Sequence, residues 1–388
     1  MRKTAPIVFV AILAATGCGG SDTMTDPNVD DPIPTTEELE FVRYRDPVSG
    51  GIVPVLTETG VGFDAREVDS PAILMDPDRQ GGSPYLLFYE ASDAAGTARI
   101  AVVGSTNPEF SSISVPRTLV IDLGGPGSGF DAGATDPTIV LAPAGSAYRY
   151  RIWFEGRSGS SGETSQIITA VSDDALSWRD FTVCGGLDGA FGAARIADPS
   201  VVVDGATYRM WFEANGGSSG QGAIGHATSD DGLTWTIRDA SGNTGMGAGP
   251  VLSARGGAGF DAVGVHAPSV AFDPPSATTA GGRWTLWYEA SDNLSSTENT
   301  IGVAYSADGM NWSRLDAPAL APSSDSLVPL PFDSGDIEHP MVVIDTSVNH
   351  TVRGRYLLYY TGDGEANSSP NRIGLAYGST VEPGDPAP

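Results

Sequence analysis

The feature that most restricts this chain is a unit that occurs five times. The tetrapeptide GFDA stands at 62–65, 129–132 and 259–262, with the variants AFGA at 190–193 and PFDS at 331–334. The phenylalanines of the five copies are 67, 61, 69 and 72 residues apart. A repeat of this period has to be settled before any single motif, because each copy is too small to bury its own apolar faces.

Every copy runs through the same order of segments. A proline-containing strand start comes first (VDSPAI, TDPTIV, ADPSVV, VHAPSV, IEHPMV), then an alternating aromatic strand (YLLFYEA, YRIWFEG, YRMWFEA, WTLWYEA, YLLYYTG). A third strand follows, as in AIGHATS, and then a turn ending in tryptophan, as in SDDALSW, SDDGLTW and SADGMNW. Period-two alternation of β-branched and aromatic residues between Gly, Asp and Ser turns marks strands, and no long segment after the N-terminus has helical periodicity. The turn at 228–235 fits the loose spacing of the sialidase aspartate box, but its copies identify it as a hairpin turn anchored by an aromatic. The expectation is an all-β, five-bladed β-propeller of four-stranded blades over residues 39–380, with blades starting near 62, 129, 190, 259 and 331. The last unit lacks a fourth strand, while FVRYRD at 41–46 and PVL at 54–56 match WTIRD at 235–239 and PVL at 250–252. An N-terminal strand is therefore expected to complete the last blade and close the ring, leaving no open edge.

Outside the repeat, residues 1–17 carry Arg2 and Lys3, an apolar run too short to span a bilayer, and small residues leading to Cys18. AATGC resembles a bacterial lipobox, with Ala15 where leucine is usual. A lipoprotein signal peptide is expected, with lipidation at Cys18 and export to the outer membrane or cell surface. Residues 18–38, acidic and rich in Pro and Gly, read as a flexible tether, and 381–388 as a C-terminal tail. Acylation of Cys18 would leave Cys184 without a disulfide partner. The formal charge is −27, and Lys3 is the only lysine. So acidic a surface repels phosphate backbones, which argues against nucleic acid and leaves a neutral, hydroxyl-rich ligand compatible. Membrane contact is expected through the lipid alone, and the protein as a monomer.

In a propeller the innermost strands line the axis. Aligned on their prolines, the first strands place Ser70, Asp136, Asp198, Ala267 and His339 one position before Pro, and Asp69, Thr135, Ala197, His266 and Glu338 two positions before. Ionisable groups from five blades converging on one axis must repel or desolvate one another unless they serve a ligand or each other. For a single aspartate, capping a strand start is the plainer role. Glu90, Glu155, Glu213 and Glu289 end the second strands at the same side of the blades. Their repetition reads as architectural, with Glu213 and Glu289, beside His339, as candidates for substrate contact.

The order GFDA, Asp-Pro with a valine run, YRMWFEA, IGHATS and SDDGLTW resembles the five-bladed propellers of the arabinanase, levansucrase and invertase superfamily, closest to relatives of glycoside hydrolase families 43 and 130. The resemblance covers about residues 41–380 and is specific for fold more than for activity. For family 43 it implies an aspartate base in the first blade, an aspartate that tunes pKa in the second and a glutamate acid in the third. Asp69 and Asp136 match the first two, whereas the third blade offers Asp198. A shifted assignment makes Asp136 and Asp198 the two aspartates with His266 as the acid, as the resemblance to agar-oligosaccharide hydrolases implies; Glu338 is another candidate acid. Inverting hydrolysis needs an acid and a base about 6.5–9.5 Å apart. The expectation is a glycosidase acting on an oligo- or polysaccharide, with a non-catalytic glycan-binding propeller and a protein-binding propeller as alternatives. Phosphorolysis is disfavoured because the sequence shows no basic cluster for phosphate. No cofactor is expected, although the resemblance admits a calcium ion on the axis.

Overall fold

The structure is a computed structural model, and it describes residues 39–79, 81–159, 164–193, 195–215, 222–273, 282–292, 298–325, 330–345, 356–364 and 370–380. The signal peptide, Cys18, the tether and the tail expected at 381–388 lie outside the described residues. The strands form five antiparallel blades. Blade I comprises Glu67–Met75, Tyr85–Ser92, Ala98–Ser105 and Ile113–Ile121. Blade II comprises Gly133–Leu141, Tyr150–Ser158, Thr164–Ser172 and Arg179–Val183. Blade III comprises Arg195–Asp204, Thr207–Asn215, Gly222–Ser229 and Thr236–Ile237, with Leu252–Ser253 as an extra piece on its third strand. Blade IV comprises Gly264–Asp273, Arg283–Ser291, Thr300–Ser306 and Ser313–Arg314.

Blade V takes three strands from the end of the chain, Asp336–Ile344, Tyr356–Asp363 and Arg372–Thr380, and its fourth, Leu39–Arg43, from the beginning. Leu39 pairs with Thr380 and Arg43 with Ala376. The expected closure is thus realised, and each innermost strand packs against the innermost strands of its two neighbours around a complete ring.

The aromatic second strands supply the core. Phe88, Trp153, Trp211, Trp287 and Tyr359 occupy one position of the repeat, Tyr89, Phe154, Phe212, Tyr288 and Tyr360 the next, and all are fully buried. Successive strand residues face opposite sides, so each blade presents a large ring to both neighbours. The repeated aspartate of GFDA has a structural use in three blades. Asp64 accepts hydrogen bonds from Tyr89 Oη (3.2 Å) and Arg117 Nη1 (2.8 Å), Asp261 from Tyr288 Oη (3.0 Å) and Arg314 Nη1 (2.9 Å), and Asp333 from Tyr360 Oη (2.7 Å) and Arg43 Nε (2.5 Å). Blades II and III have Phe154 and Phe212 where the tyrosines would be, and pack them on Phe130 and Phe191 instead.

The tryptophan turns join blades. Ser229 and Asp231 shape the blade III turn so that the Gly232 carbonyl accepts Trp153 Nε1 of blade II at 3.0 Å, and the Gly309 carbonyl of blade IV accepts Trp211 Nε1 of blade III at 2.9 Å. They are structural staples on the outside of the ring, as the sequence reading expects.

Candidate functional site

Each innermost strand is irregular at its proline, and the irregularity builds the site. Asp69 faces Glu90 across the blade, but the next paired residue, Ala72, faces Phe88, so two residues oppose one. The same bulge recurs between Thr135 and Thr138, Ala197 and Ser200, His266 and Ser269, and Glu338 and Met341. The residue before each proline has positive φ, at 45° in Ser70, 50° in Asp136, 47° in Asp198, 42° in Ala267 and 46° in His339. Non-glycine residues seldom adopt this conformation, and bulges of this kind re-aim side chains. In a regular strand adjacent residues such as Glu338 and His339 would point to opposite faces; here both reach the axis.

The result is a polar cavity of about 380 Å³ at one end of the ring. Asp69, Asp136, Asp198, His266 and Glu338, the five residues put forward as catalytic, all line it, as does His339. Asp136, Asp198 and His339 also border a far smaller void of about 40 Å³ walled by the five prolines. Among the described residues, no large aromatic lines either space.

Three expectations need correction. His339, not His266, stands among the aspartates: its Nδ1 lies 3.0 Å from Asp69 Oδ1, and its Nε2 lies 3.8 Å from both Asp136 Oδ1 and Asp198 Oδ1. His266 instead approaches Glu213, with Nδ1 3.4 Å from Oε1, and is wedged between Gly222 and Gly264, where an added Cβ would come within 2.3 Å of the ring. Glu90, read as architectural, lines the cavity together with Glu213 and Glu289, the two glutamates put forward for substrate contact, while Glu155 is buried outside its lining. Finally, a basic pair is present: Arg157 and Arg195 reach the cavity wall and both bind the fully buried Glu155, Arg195 with Nε at 3.0 Å and Nη2 at 2.5 Å, Arg157 at 3.2 and 3.4 Å. The missing basic cluster is therefore no argument against phosphorolysis.

These surroundings pull the carboxyl groups in opposite directions. Burial works against a charged Asp69, yet His339, Thr361 Oγ1 at 2.6 Å and Asn371 Nδ2 at 2.8 Å hold it well below the usual carboxylate range. Burial likewise opposes the charge on Glu213, which His266 holds down at about 2. Burial drives Glu90 and Asp198 well upward, helped in both by the charge of Asp136, while burial and Glu155 raise Asp136 itself. Burial and Glu338 push Glu289 to about 7 and Asp336 to about 9; Asn299 Nδ2 bridges Glu289 (3.1 Å) and Glu338 (3.3 Å). Burial disfavours both imidazolium ions, but Asp69, Asp136 and Asp198 raise His339 well above its ordinary value, and Glu213 and Glu289 raise His266.

Two sets of donors lie close enough to suggest a cation, Asp69 with Glu338 and His339, and Asp136 with Asp198 and His339. His339 belongs to both, and its imidazole nitrogen is not one of the oxygen ligands that calcium takes.

No protein-family model matches the chain, and no curated protein matches it in sequence. Solved structures match in shape. A glycosyl hydrolase from Bacteroides ovatus is 17% identical, with 92% of this chain and 94% of that one covered and a TM-score of 0.56. An α-L-arabinofuranosidase from Podospora anserina in complex with cellotriose is 12% identical, with 89% and 98% covered and a TM-score of 0.57. An N-acetylgalactosamine deacetylase from F. plautii in complex with blood group B trisaccharide is 13% identical, with 84% and 96% covered and a TM-score of 0.56. The fold of this chain, the five-bladed propeller expected from the sequence, is shared with these proteins.

Proposed function

We propose that this chain is a surface-anchored glycoside hydrolase that binds an oligo- or polysaccharide in the axial cavity and cleaves a glycosidic bond with inversion. One observation carries the reading: a single open cavity holds a carboxylate kept charged, Asp69, and a carboxyl kept protonated close to neutrality, Glu289. Titratable groups driven apart by their surroundings are the mark of an acid and base pair. In this mechanism Glu289 gives its proton to the leaving oxygen, and Asp69 orients the attacking water and takes a proton from it. Asp69 binds protons weakly and is a weak base, so most of the assistance falls on the leaving group. His339 balances the charge of Asp69, and Asp136 and Asp198 flank it as sugar-binding groups. No step needs a metal. Glu338 and His266 serve to set the proton affinities of Glu289 and Glu213.

A binding-only propeller is the second reading, favoured by one observation. The third blade lacks the glutamate that family 43 places there, and Glu213, the nearest substitute, is held ionised by His266. Anchoring rests on Cys18 and the tether, and predicts that Cys18→Ala moves the protein out of the membrane fraction.

The test is incubation with arabino-, xylo-, fructo-, manno- and agaro-oligosaccharides, following product and binding together. Turnover that disappears in Asp69→Asn and Glu289→Gln while binding persists supports the hydrolase. Saturable binding with no product from any substrate supports the second reading, and the absence of both refutes each.

A further inference from the structure

Arg157 and Arg195 together bring more positive charge than the fold needs at this point. Glu155 is fully buried and needs one counter-charge; Arg195 provides it through two parallel hydrogen bonds, the strong fork geometry. Arg157 binds the same carboxylate at longer range, 3.2 and 3.4 Å. Its other acidic neighbour, Asp136, is 3.8 Å from Nη2, beyond a hydrogen bond. Both side chains stay over a third exposed, 37% for Arg157 and 36% for Arg195, on the wall of the cavity. Among the described residues no hydrogen bond uses Nη1 of either.

The surroundings of the two arginines are mixed in charge. Burial and mutual repulsion raise the pKa values of Asp136, Asp198 and Glu90, which weakens their opposition to an anion. Glu213 of blade III stays ionised against His266, and Asp69 balances the charge of His339. Glu338, Glu289 and Asp336 gather around Asn299. Arg157 and Arg195 are the arginines of the cavity wall, on neighbouring blades II and III, and a neutral sugar would leave their open Nη1 groups without a charged partner.

We infer that the sugar unit seated beside blades II and III carries an anionic oxygen group, a carboxylate such as that of a uronic acid, which pairs with Arg157 and Arg195. A planar carboxylate matches the planar guanidinium donors, and both arginines already meet one in Glu155. This inference rests on the proposed saccharide-binding reading and adds the substrate class.

The test measures binding of matched oligosaccharides, galacturonate against galactose and glucuronate against glucose, to the full chain carrying Glu289→Gln so that turnover does not interfere. The uronate member should bind at least tenfold more tightly. Arg157→Gln should reduce that preference to about threefold or less without weakening the neutral member, and Arg157→Lys should retain part of it. Melting curves confirm that each variant is folded. Sulfated galactose and inorganic phosphate serve as further arms: preference for either over the uronate overturns the carboxylate. Equal binding of charged and neutral members overturns the inference and leaves the saccharide reading standing. Failure of every sugar to bind overturns both.

Discussion

His339 Nδ1 lies 3.0 Å from Asp69 Oδ1, and this contact ties the innermost strand of the last blade to that of the first. Its two members respond to pH in opposite ways. Asp69 has a lowered pKa in the folded state, so its contribution is complete above the unfolded value of about 4 and disappears only in strong acid. His339 has a raised one, so its contribution is complete below about 6.5 and fades as pH rises through the folded value. The pair is intact between those limits.

The remaining shifts set the pH dependence of the whole domain. Glu289 at about 7, Asp336 at about 9, and Glu90 and Asp198 well above the ordinary range all keep protons that the unfolded chain gives up above about pH 4. Stability must then fall as pH rises. The melting temperature should be highest near pH 5 and lower by about 5 °C or more at pH 9, given a few degrees per kcal/mol. A melting temperature that is flat or rises over this interval would contradict the assignment.

An acid that must be protonated gives the rate a basic limb. With Glu289 as the acid, kcat/KM on a cleaved substrate should decline above about pH 7. Glu289→Gln should lower kcat by about 10² to 10⁴, the usual contribution of a positioned acid. Loss of the limb without loss of rate would assign the proton to another group.

Among the described residues, Glu155 is the carboxylate that both Arg157 and Arg195 hydrogen-bond. Glu155→Gln leaves two guanidinium groups uncompensated, and the cost of breaking such a pair, about 3–5 kcal/mol when fully buried, is reduced here because both arginines are partly open to water. Denaturant unfolding should show a loss of about 2–3 kcal/mol, and no loss would mean that the arginines are held by other contacts.

The positive φ before each proline can be tested in blade IV, where Ala267 has φ of 42°. Glycine relieves the steric cost and adds backbone entropy to the unfolded chain, so Ala267→Gly should leave stability within about 1 kcal/mol. Ala267→Val should cost about 2 kcal/mol or more, since a β-branched residue tolerates this conformation worst. Equal stability of the two variants would show that the bulge relaxes.

Much of this was legible in the sequence because it is repeated. The five GFDA-like motifs and the aromatic strands fix the blades, and Leu39–Arg43 completes the last blade as the matching of FVRYRD to WTIRD implies. The alignment on proline picked out residues that line the axial cavity. What it could not show was the bulge, which turns two successive side chains inward, and so it ranked His266 above His339. Arg157 and Arg195 were missed because no other blade has them: the equivalents of Arg157 are Ser92, Asn215, Ser291 and Asp363, and those of Arg195 are Glu67, Gly133, Gly264 and Asp336. The available signal was the odd member of each position, whereas the repeat directed attention to what the copies share.

The pairing of Leu39–Arg43 with Arg372–Thr380 also orders events in time. Leu39–Arg43 leaves the ribosome before any of blades I to IV and finds its neighbour only when Arg372–Thr380 has been made, so those blades can assemble while the fifth is still a bare edge. A chain halted anywhere before Arg372 has no route to a sealed ring, and it would carry the axial carboxyl groups without the His339–Asp69 contact that spans the seam if it stops before His339. Arrival of Arg372–Thr380 is therefore the checkpoint for a sealed ring.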